Sequence, residues 1–212
     1  MPDTVEFECG TVRGYLHRPD QACGDGLVLT HGAGGNCRSD LLISIADVFA
    51  RGGIFVLRYD LPFRQRKSFG PPLPRSAGTD REGLRDAVEA LRTVAGRISL
   101  GGHSYGGRQA SILAAERPGL AAGLLLLSYP LHPPRKPDEL RTAHFPNLFT
   151  PAVFVHGTED PFGSVEELRA AVATIPAKTE LVTVEHAGHE LKKGTFDIQG
   201  CVLPAFREIS KT

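Results

Sequence analysis

The sequence predicts an α/β fold in which a mostly parallel central sheet carries helices on both of its faces. Short apolar runs of about five residues alternate with longer segments whose apolar residues recur three and four positions apart. This alternation of strand and helix is typical of a parallel sheet, whose right-handed crossovers place helices on both sides. With 212 residues the chain is long enough for one substantial core, and we expect a single domain over residues 1–212.

The predicted elements follow one another in a regular order. At the start, residues 5–8 and 11–17 flank Gly10 and predict an antiparallel hairpin at one edge of the sheet. The later strands are expected at 27–29, 54–57, 98–100, 124–127, 153–155 and 181–184. Segments of helical period between these strands predict helices at 41–51, 80–95, 108–117 and 165–175.

Two proline-rich loops interrupt this order. Residues 63–78 and residues 130–151 each follow a strand, and the second loop is expected to contain a short helical piece around 138–142. In open parallel sheets ligands bind beyond the carboxyl ends of the strands, so both loops are predicted to border the site. Both loops are too short to form a large cap.

Composition narrows the class of partner. Lys+Arg and Asp+Glu both total 24, so the overall charge does not favour nucleic acid or an acidic membrane surface, and we expect a small-molecule substrate. The four cysteines lack a paired spacing, which indicates reduced thiols and a cytoplasmic location. A signal region is missing and the apolar stretch 120–127 is too short to cross a bilayer, so no membrane association is expected.

The clearest candidate for chemistry is the pentapeptide Gly-His-Ser-Tyr-Gly at residues 102–106. A short apolar strand precedes it and a segment of helical period follows, which is the setting of a serine on a sharp strand-to-helix turn. Glycine is needed at 102 and 106 because side chains there would collide across the turn, while strain holds the Ser104 hydroxyl outward. We therefore predict that Ser104 is a nucleophile; the alternative is a serine that only caps the helix.

A serine nucleophile requires a base and a carboxylate that orients the base. Asp160 ends the run His-Gly-Thr-Glu-Asp after the strand at 152–155, and His189 lies just beyond the last strand. The order serine, acid, histidine is the one expected in an open α/β sheet, and all three residues follow the carboxyl ends of strands. We predict Asp160 as the acid and His189 as the base.

Neighbouring side chains provide alternatives for these two roles. Glu159 and Glu185 compete for the role of the acid, and His186 competes for the role of the base. His186 and His189 could also be read as zinc ligands, but no cysteine or carboxylate lies at a recurring ligand spacing. We therefore predict no metal site.

Two backbone amides are candidates for an oxyanion hole, which offsets the charge that develops on a carbonyl oxygen during attack. The first is the amide of Tyr105, directly after the serine. The second is the amide of Ala33, in the run His-Gly-Ala-Gly-Gly at 31–35, where the glycines leave the backbone free to turn toward the oxygen. The start of the helix after Ser104 adds a favourable dipole.

A set of basic residues surrounds the first proline-rich loop, and it comprises Arg58, Arg64, Arg66, Lys67, Arg75 and Arg108. One interpretation is solvated surface charge. The sharper hypothesis is that Arg64 and Arg66 line the mouth of the cleft and bind a substrate carboxylate or phosphate. Cys37 has two interpretations as well, a small buried side chain or a reactive thiol near the cleft.

Four motifs follow one another along the chain: His31-Gly32-Ala33-Gly34, Gly102-His103-Ser104-Tyr105-Gly106-Gly107, Gly157-Thr158-Glu159-Asp160 and Gly188-His189. In this order they resemble the α/β-hydrolases, in particular the small, lidless, dienelactone-hydrolase-like branch. The resemblance covers almost the whole chain. The sequence departs from dienelactone hydrolases at Ser104, where they carry a cysteine, so the resemblance implies their mechanism but not their lactone specificity.

The resemblance and the candidate residues together imply an α/β-hydrolase fold with a minimal cap. The expected activity is that of a serine hydrolase that cleaves a small carboxylic ester or thioester through an acyl-enzyme intermediate, with no cofactor. The same scaffold also supports non-catalytic ligand-binding or protein-interaction members, and this is the alternative.

Overall fold

The computed structural model of the protein describes residues 2–192 and 196–209, which contain an eight-stranded sheet with helices on both faces, as predicted. The strands are β1 (Asp3–Cys9), β2 (Val12–Arg18), β3 (Asp25–Thr30), β4 (Phe55–Tyr59), β5 (Arg97–His103), β6 (Leu124–Leu127), β7 (Ala152–Gly157) and β8 (Thr179–Val184). Their order across the sheet is β1-β2-β4-β3-β5-β6-β7-β8.

The direction of the strands determines where the candidate site forms. The β1–β2 and β2–β4 pairs are antiparallel, and the pairs from β4 through β8 are all parallel. The carboxyl ends of β3, β5, β7 and β8 therefore lie at the same edge of the sheet. The loops that carry Ala33, Ser104, Asp160 and His189 all begin at this edge.

The helices are α1 (Asp40–Arg51), α2 (Pro62–Arg66), α3 (Ser76–Leu91), α4 (Tyr105–Glu116), α5 (Val165–Val172) and α6 (Leu203–Ile209). Local signals explain the start of two of them. The Ser39 hydroxyl accepts a hydrogen bond from the Leu42 amide at the start of α1, and Ser164 and Glu167 form a reciprocal capping box at the start of α5. Within the described residues, no helix has both the length and the apolarity of a membrane span.

The core forms one layer on each face of the sheet because successive side chains of a strand point to opposite faces. On β3, Val28 packs into the layer beneath α3 and α4, whereas Leu27 and Leu29 pack into the layer beneath α1 and α6. All three side chains are 0% exposed. Such continuously apolar strands are typical of a parallel sheet that is covered on both sides.

The proline-rich loops differ in detail from the expectation. Residues 138–142 form turns and bends rather than a helical piece, and a 3-10 turn lies instead at Phe145–Asn147. Prolines at 133, 134 and 137 restrict the backbone just before the predicted piece, and Arg135 adopts a positive φ of 62°. The segment between β6 and β7 contains no larger element, in agreement with a minimal cap.

One predicted helix is displaced, and the helical segments at Pro62–Arg66 and after β8 were not predicted. The helix predicted at 80–95 is α3, Ser76–Leu91, and the loop predicted from residue 63 begins with α2, in which proline occupies the favourable first turn. After β8, a π-helical segment (Ile198–Val202) leads into α6. This last helix packs Phe206 against Phe49 of α1, with ring centroids 5.2 Å apart.

Candidate active site

Three of the side chains selected from the sequence meet at the carboxyl edge of the sheet. The Ser104 hydroxyl donates a hydrogen bond to Nε2 of His189, with 2.8 Å between the two atoms. Nδ1 of His189 donates in turn to the carboxylate of Asp160, at 2.9 Å from Oδ2 and 3.1 Å from Oδ1. The three groups come from the loops after β5, β7 and β8, and they form a continuous relay from a hydroxyl to a buried carboxylate.

Ser104 has the strained backbone that the sequence predicts. Its φ of 51° and ψ of −115° lie in a region that non-glycine residues rarely adopt. The surrounding glycines permit this turn, since a Cβ on Gly102 would lie 2.8 Å from the carbonyl carbon of Gly106, and a Cβ on Gly106 would lie 2.5 Å from the carbonyl oxygen of His31. Any side chain at these two positions would push the serine out of place.

The carboxylate of Asp160 has contacts with groups other than the His189 imidazole, and these contacts also fix its orientation. Its side chain is 0% exposed, and Oδ1 accepts a hydrogen bond from the Phe162 amide at 2.9 Å. A second, fully buried imidazole lies near it: Nδ1 of His156 is 3.8 Å from Oδ2, while Nε2 of His156 donates to the Gly163 carbonyl at 2.8 Å. The orientation of the carboxylate is therefore set before any ligand binds.

His189 is supported on its backbone and on its ring. Nε2 of His103 donates to the carbonyl of His189 at 2.8 Å, and burial lowers the pKa of His103, which keeps this imidazole neutral. The Phe162 ring lies against the His189 ring with centroids 4.2 Å apart and planes tilted by 34°. Phe162 was not predicted from the sequence, although it follows Asp160 by two positions in Asp-Pro-Phe-Gly, and an aromatic residue so close to the acid was an available signal.

The competing residues lie elsewhere. The His186 side chain is 82% exposed, and its Nδ1 is 3.6 Å from the carboxylate of Glu159, which is itself 61% exposed. Glu185 is exposed as well. The structure therefore brings His189 and Asp160, rather than these neighbours, to Ser104.

Ser111 and His144 form a second serine–histidine pair, with 2.8 Å between Oγ and Nε2. Ser111 lies in the middle of α4, is 0% exposed, and donates its hydroxyl proton to the carbonyl of Arg108 at 3.0 Å. Burial, followed by the nearby Arg108 charge, lowers the pKa of His144 to about 4. A hydroxyl without access to solvent, whose proton is already donated to its own helix, is suited to structural support rather than to attack.

The loop that carries Ala33 lies directly against the serine. A Cβ on Gly32 would lie 2.9 Å from Nδ1 of His103 and 3.4 Å from the Cβ of Ser104, so glycine leaves both side chains in place. The Gly32 carbonyl accepts hydrogen bonds from Nδ1 of His31 at 2.8 Å and from the Gly35 amide at 3.1 Å. Because the N–H and C=O of a trans peptide point in opposite directions, these bonds also fix the direction of the Ala33 amide.

Tyr105 supplies the other candidate amide. As the first residue of α4, it lies among the amides that lack an acceptor within the helix. The amide is therefore suited to an oxyanion at the end of the Ser104 side chain. The structure thus places both predicted donors on segments adjoining the serine.

A network of charged and polar side chains lies behind the Ala33 loop, and its members Arg58 and His17 are buried. The guanidinium of Arg58, a residue that is 4% exposed, donates from Nη1 to the Cys37 carbonyl and from Nε to Nε2 of His17 at 2.7 Å. Nδ1 of His17 in turn faces the carboxylate of Asp47 at 3.0 Å. Burial, followed by the Arg58 charge, lowers the pKa of His17 to about 4. Arg58 therefore anchors the loop from the core and is not a surface charge.

The two arginines predicted to bind substrate lie outside the cavity that surrounds Ser104. The guanidinium of Arg64, a residue that is 5% exposed, donates to three backbone carbonyls: Ala33 at 2.8 Å, Gly70 at 2.9 Å and Lys67 at 3.0 Å. Arg66 is exposed and faces a separate groove beside α2. Arg64 thus holds the predicted oxyanion loop instead of facing a ligand.

A cavity of about 680 Å³ opens above Ser104. Its inner wall contains the Ala33 loop, His103, Phe162 and His189, and charged side chains of both signs lie at its mouth, namely Arg38, Asp40, Glu190 and Lys192. A small molecule fits such a cavity. Cys37 lies outside this wall, and burial raises the pKa of its thiol to about 12, which favours the interpretation as a small buried side chain. Among residues 2–192 and 196–209, no three His, Cys, Asp or Glu side chains are grouped as metal ligands.

Comparison with known proteins gives a consistent picture. The family described as alpha/beta hydrolase domain matches residues 24–197. Among solved structures, a dienelactone hydrolase from Anabaena variabilis is similar over 100% of this chain and 95% of its own, with a TM-score of 0.70 and 21% sequence identity. A serine hydrolase without a lid from Xanthomonas campestris is similar over 98% and 94%, with a TM-score of 0.75 and 16% identity. Est1E from Butyrivibrio proteoclasticus is similar over 98% and 96%, with a TM-score of 0.72 and 17% identity. At these identities the likeness establishes the fold.

Proposed function

The chain belongs to the alpha/beta hydrolase domain family, and we propose that it is a serine hydrolase that cleaves a small carboxylic ester or thioester. The observation that carries this proposal is the relay from Ser104 through His189 to Asp160, with heavy-atom distances of 2.8 Å and 2.9 Å. These lengths suit proton transfer from the hydroxyl to the imidazole.

The proposed reaction has two halves. Ser104 Oγ attacks the carbonyl carbon of the substrate while its proton passes to Nε2 of His189, and Asp160 stabilises the imidazolium that results. His189 then donates this proton to the departing alcohol or thiol, which leaves an acyl group on Ser104. Water attacks the acyl group with His189 again as the base, the acid is released, and the Ser104 hydroxyl is restored.

The tetrahedral intermediates in both halves carry negative charge on the former carbonyl oxygen. We propose that the amides of Tyr105 and Ala33 donate to this oxygen. The support is the position of Tyr105 at the start of α4 and the tethering of the Gly32–Ala33 peptide against Ser104.

The proposed substrate is small and is handled without a cofactor, and the proposed location is the cytoplasm. The cavity of about 680 Å³ and the absence of a larger element between β6 and β7 in the described residues support an accessible site for a compact acyl group. The balanced charge of the chain supports a small molecule, and not nucleic acid or a membrane, as the partner.

A fluorophosphonate probe tests the proposal because it reacts far faster with an activated serine than with an ordinary hydroxyl. We expect the wild type to be labelled and Ser104→Ala not to be labelled. Ser111→Ala is the matched control, since it removes a second serine hydroxyl that contacts an imidazole and should leave labelling intact. A folded wild type without labelling would instead favour the non-catalytic binding protein. Initial rates on p-nitrophenyl esters and acyl thioesters of increasing chain length would then identify the acyl group.

A further inference from the structure

The carboxylate of Asp80 is buried at the place where α2, α3 and α4 meet, and the proposed mechanism does not use it. The residue is 0% exposed. Oδ2 accepts a hydrogen bond from the Tyr105 hydroxyl at 2.7 Å, and Oδ1 accepts one from the Phe63 amide at 2.9 Å. Burial raises the pKa of Asp80, and the bonds from Tyr105 and Phe63 oppose that rise. A carboxyl group that is costly to bury therefore joins two segments of the candidate site.

The first segment is the start of α4. Tyr105 directly follows the strained Ser104, and its ring packs edge-on against Phe63 with centroids 5.6 Å apart. The phenol hydroxyl is thus held by Asp80, and the ring is held by Phe63. These two contacts fix the residue whose amide is the first proposed oxyanion donor.

The second segment is the Ala33 loop, which Asp80 reaches through α2. The Phe63 amide, pinned by Asp80, lies in this short helix, and the next residue is the buried Arg64. Nη2 of Arg64 donates to the Ala33 carbonyl at 2.8 Å. The Phe63 ring also packs edge-on against the His31 ring, with centroids 5.6 Å apart, and His31 holds the Gly32 carbonyl.

We infer that Asp80 is a positioning residue that fixes both oxyanion donors, Tyr105 through its hydroxyl and Ala33 through α2 and Arg64. The inference rests on the proposed function, because it assigns those two amides to the oxyanion. Amides stabilise a developing charge only when they are oriented before the charge forms. Loosening them weakens the transition state more than the bound substrate, so the loss falls on kcat more than on KM.

Two substitutions test this role. Asp80→Asn keeps the shape but replaces one accepting oxygen with a donating NH₂, so one of the two bonds is lost; Tyr105→Phe removes only the hydroxyl that donates to Asp80. We expect each to lower kcat on p-nitrophenyl acetate by about 10- to 100-fold, with KM changed by less than about 3-fold. Asp86→Asn is the matched control: Asp86 lies in the same helix, its side chain is 41% exposed, and its ion pair is with Arg85.

A boronic acid separates positioning from a merely structural role, because its tetrahedral adduct on Ser104 places an oxygen in the oxyanion hole. The inhibition constant of phenylboronic acid is expected to rise in step with the fall in kcat, at a temperature well below the melting point of every variant. If Asp80→Asn melts earlier but shows wild-type kcat and boronate affinity while folded, Asp80 is only structural and the inference is overturned.

A readout without turnover keeps this inference distinguishable from the proposed function. In ¹H–¹⁵N spectra, the amide resonances of both Ala33 and Tyr105 are expected to move in Asp80→Asn and to stay in place in Asp86→Asn. Unmoved resonances would refute the positioning role even in an active enzyme. Moved resonances in a protein that neither hydrolyses esters nor binds the boronate would support the positioning role and place the failure in the proposed function.

Discussion

Acidification is expected to destabilise the fold through His17, whose imidazole lies between Arg58 and Asp47. Arg58 donates to Nε2 of His17, so a proton can bind there only if that hydrogen bond breaks. The pKa is about 4 in the folded protein against 6.5 as the ordinary value. Between these two values the unfolded chain binds the proton and the folded chain does not, so the stability present above pH 6.5 is lost as the pH falls toward 4.

The size of the effect follows from the two pKa values. Lowering the solution from about pH 7.5 to about pH 5 is expected to remove about 2 kcal/mol from the free energy of unfolding through this histidine. Urea denaturation followed by circular dichroism at several pH values measures it. His17→Gln, whose amide can still accept from Arg58 and donate to Asp47, should lose about 2 kcal/mol less over the same interval, whatever its absolute stability.

The control is His186→Gln, because that side chain is 82% exposed and meets water in both states. It should show the pH dependence of the wild type. If the His17→Gln and wild-type curves of stability against pH run parallel, the burial of His17 and its bond from Arg58 do not govern its titration, and the reasoning is refuted.

Three further predictions concern the candidate site. Asp160→Asn is expected to lower kcat by about 10³- to 10⁴-fold with the fold intact, because the amide no longer selects the His189 tautomer that accepts the serine proton. Steady-state kinetics measure kcat and a melting curve checks the fold. A loss of kcat below about tenfold would contradict the prediction. Gly106→Ala would place a methyl group 2.5 Å from the His31 carbonyl oxygen. We therefore expect loss of fluorophosphonate labelling and a lower melting temperature. Wild-type labelling and a wild-type melting temperature would contradict the predicted clash. Phe162→Ala removes the ring that packs against the His189 ring. We expect kcat to fall by about 3- to 30-fold while the melting temperature changes little. An unchanged kcat would show that this ring contact does not hold the imidazole.

The sequence predicts the sheet well because its strands are continuously apolar and its helices have a clear period. Val28, Leu57 and Leu126, for example, lie where the apolar runs predict, in a core covered on both faces. The short helices were harder to predict. Pro62 suggests a loop, and so do the prolines at 133, 134 and 137. Pro62 nevertheless begins a helix, whereas the other three belong to turns. Only tertiary contacts, such as the hydrogen bond from the Phe63 amide to Asp80, distinguish the two cases.

The candidate site shows the same division. Ser104, Asp160 and His189 were recognisable because each sits in a short motif at a strand end. Other supporting residues were not, since the contact of His156 with Gly163 depends on the path of the backbone and the contact of Asp80 with Tyr105 joins residues 25 positions apart. Arg64 illustrates the limit most clearly. The sequence allows either a solvated surface charge or a residue that binds a substrate anion, whereas the buried guanidinium donates to three carbonyls that only the folded loop brings together.

The burial of Cys37 makes this thiol a probe of local opening in the protein. The residue is 2% exposed and burial raises the pKa of its thiol to about 12, while Cys9, Cys23 and Cys201 are exposed. Maleimide dyes will therefore attach quickly to those three outer sulfurs and leave the fourth untouched in the native state. Cys37 lies behind the loop that adjoins Ser104. The slow rate at which Cys37 is alkylated therefore measures how often that part of the protein opens.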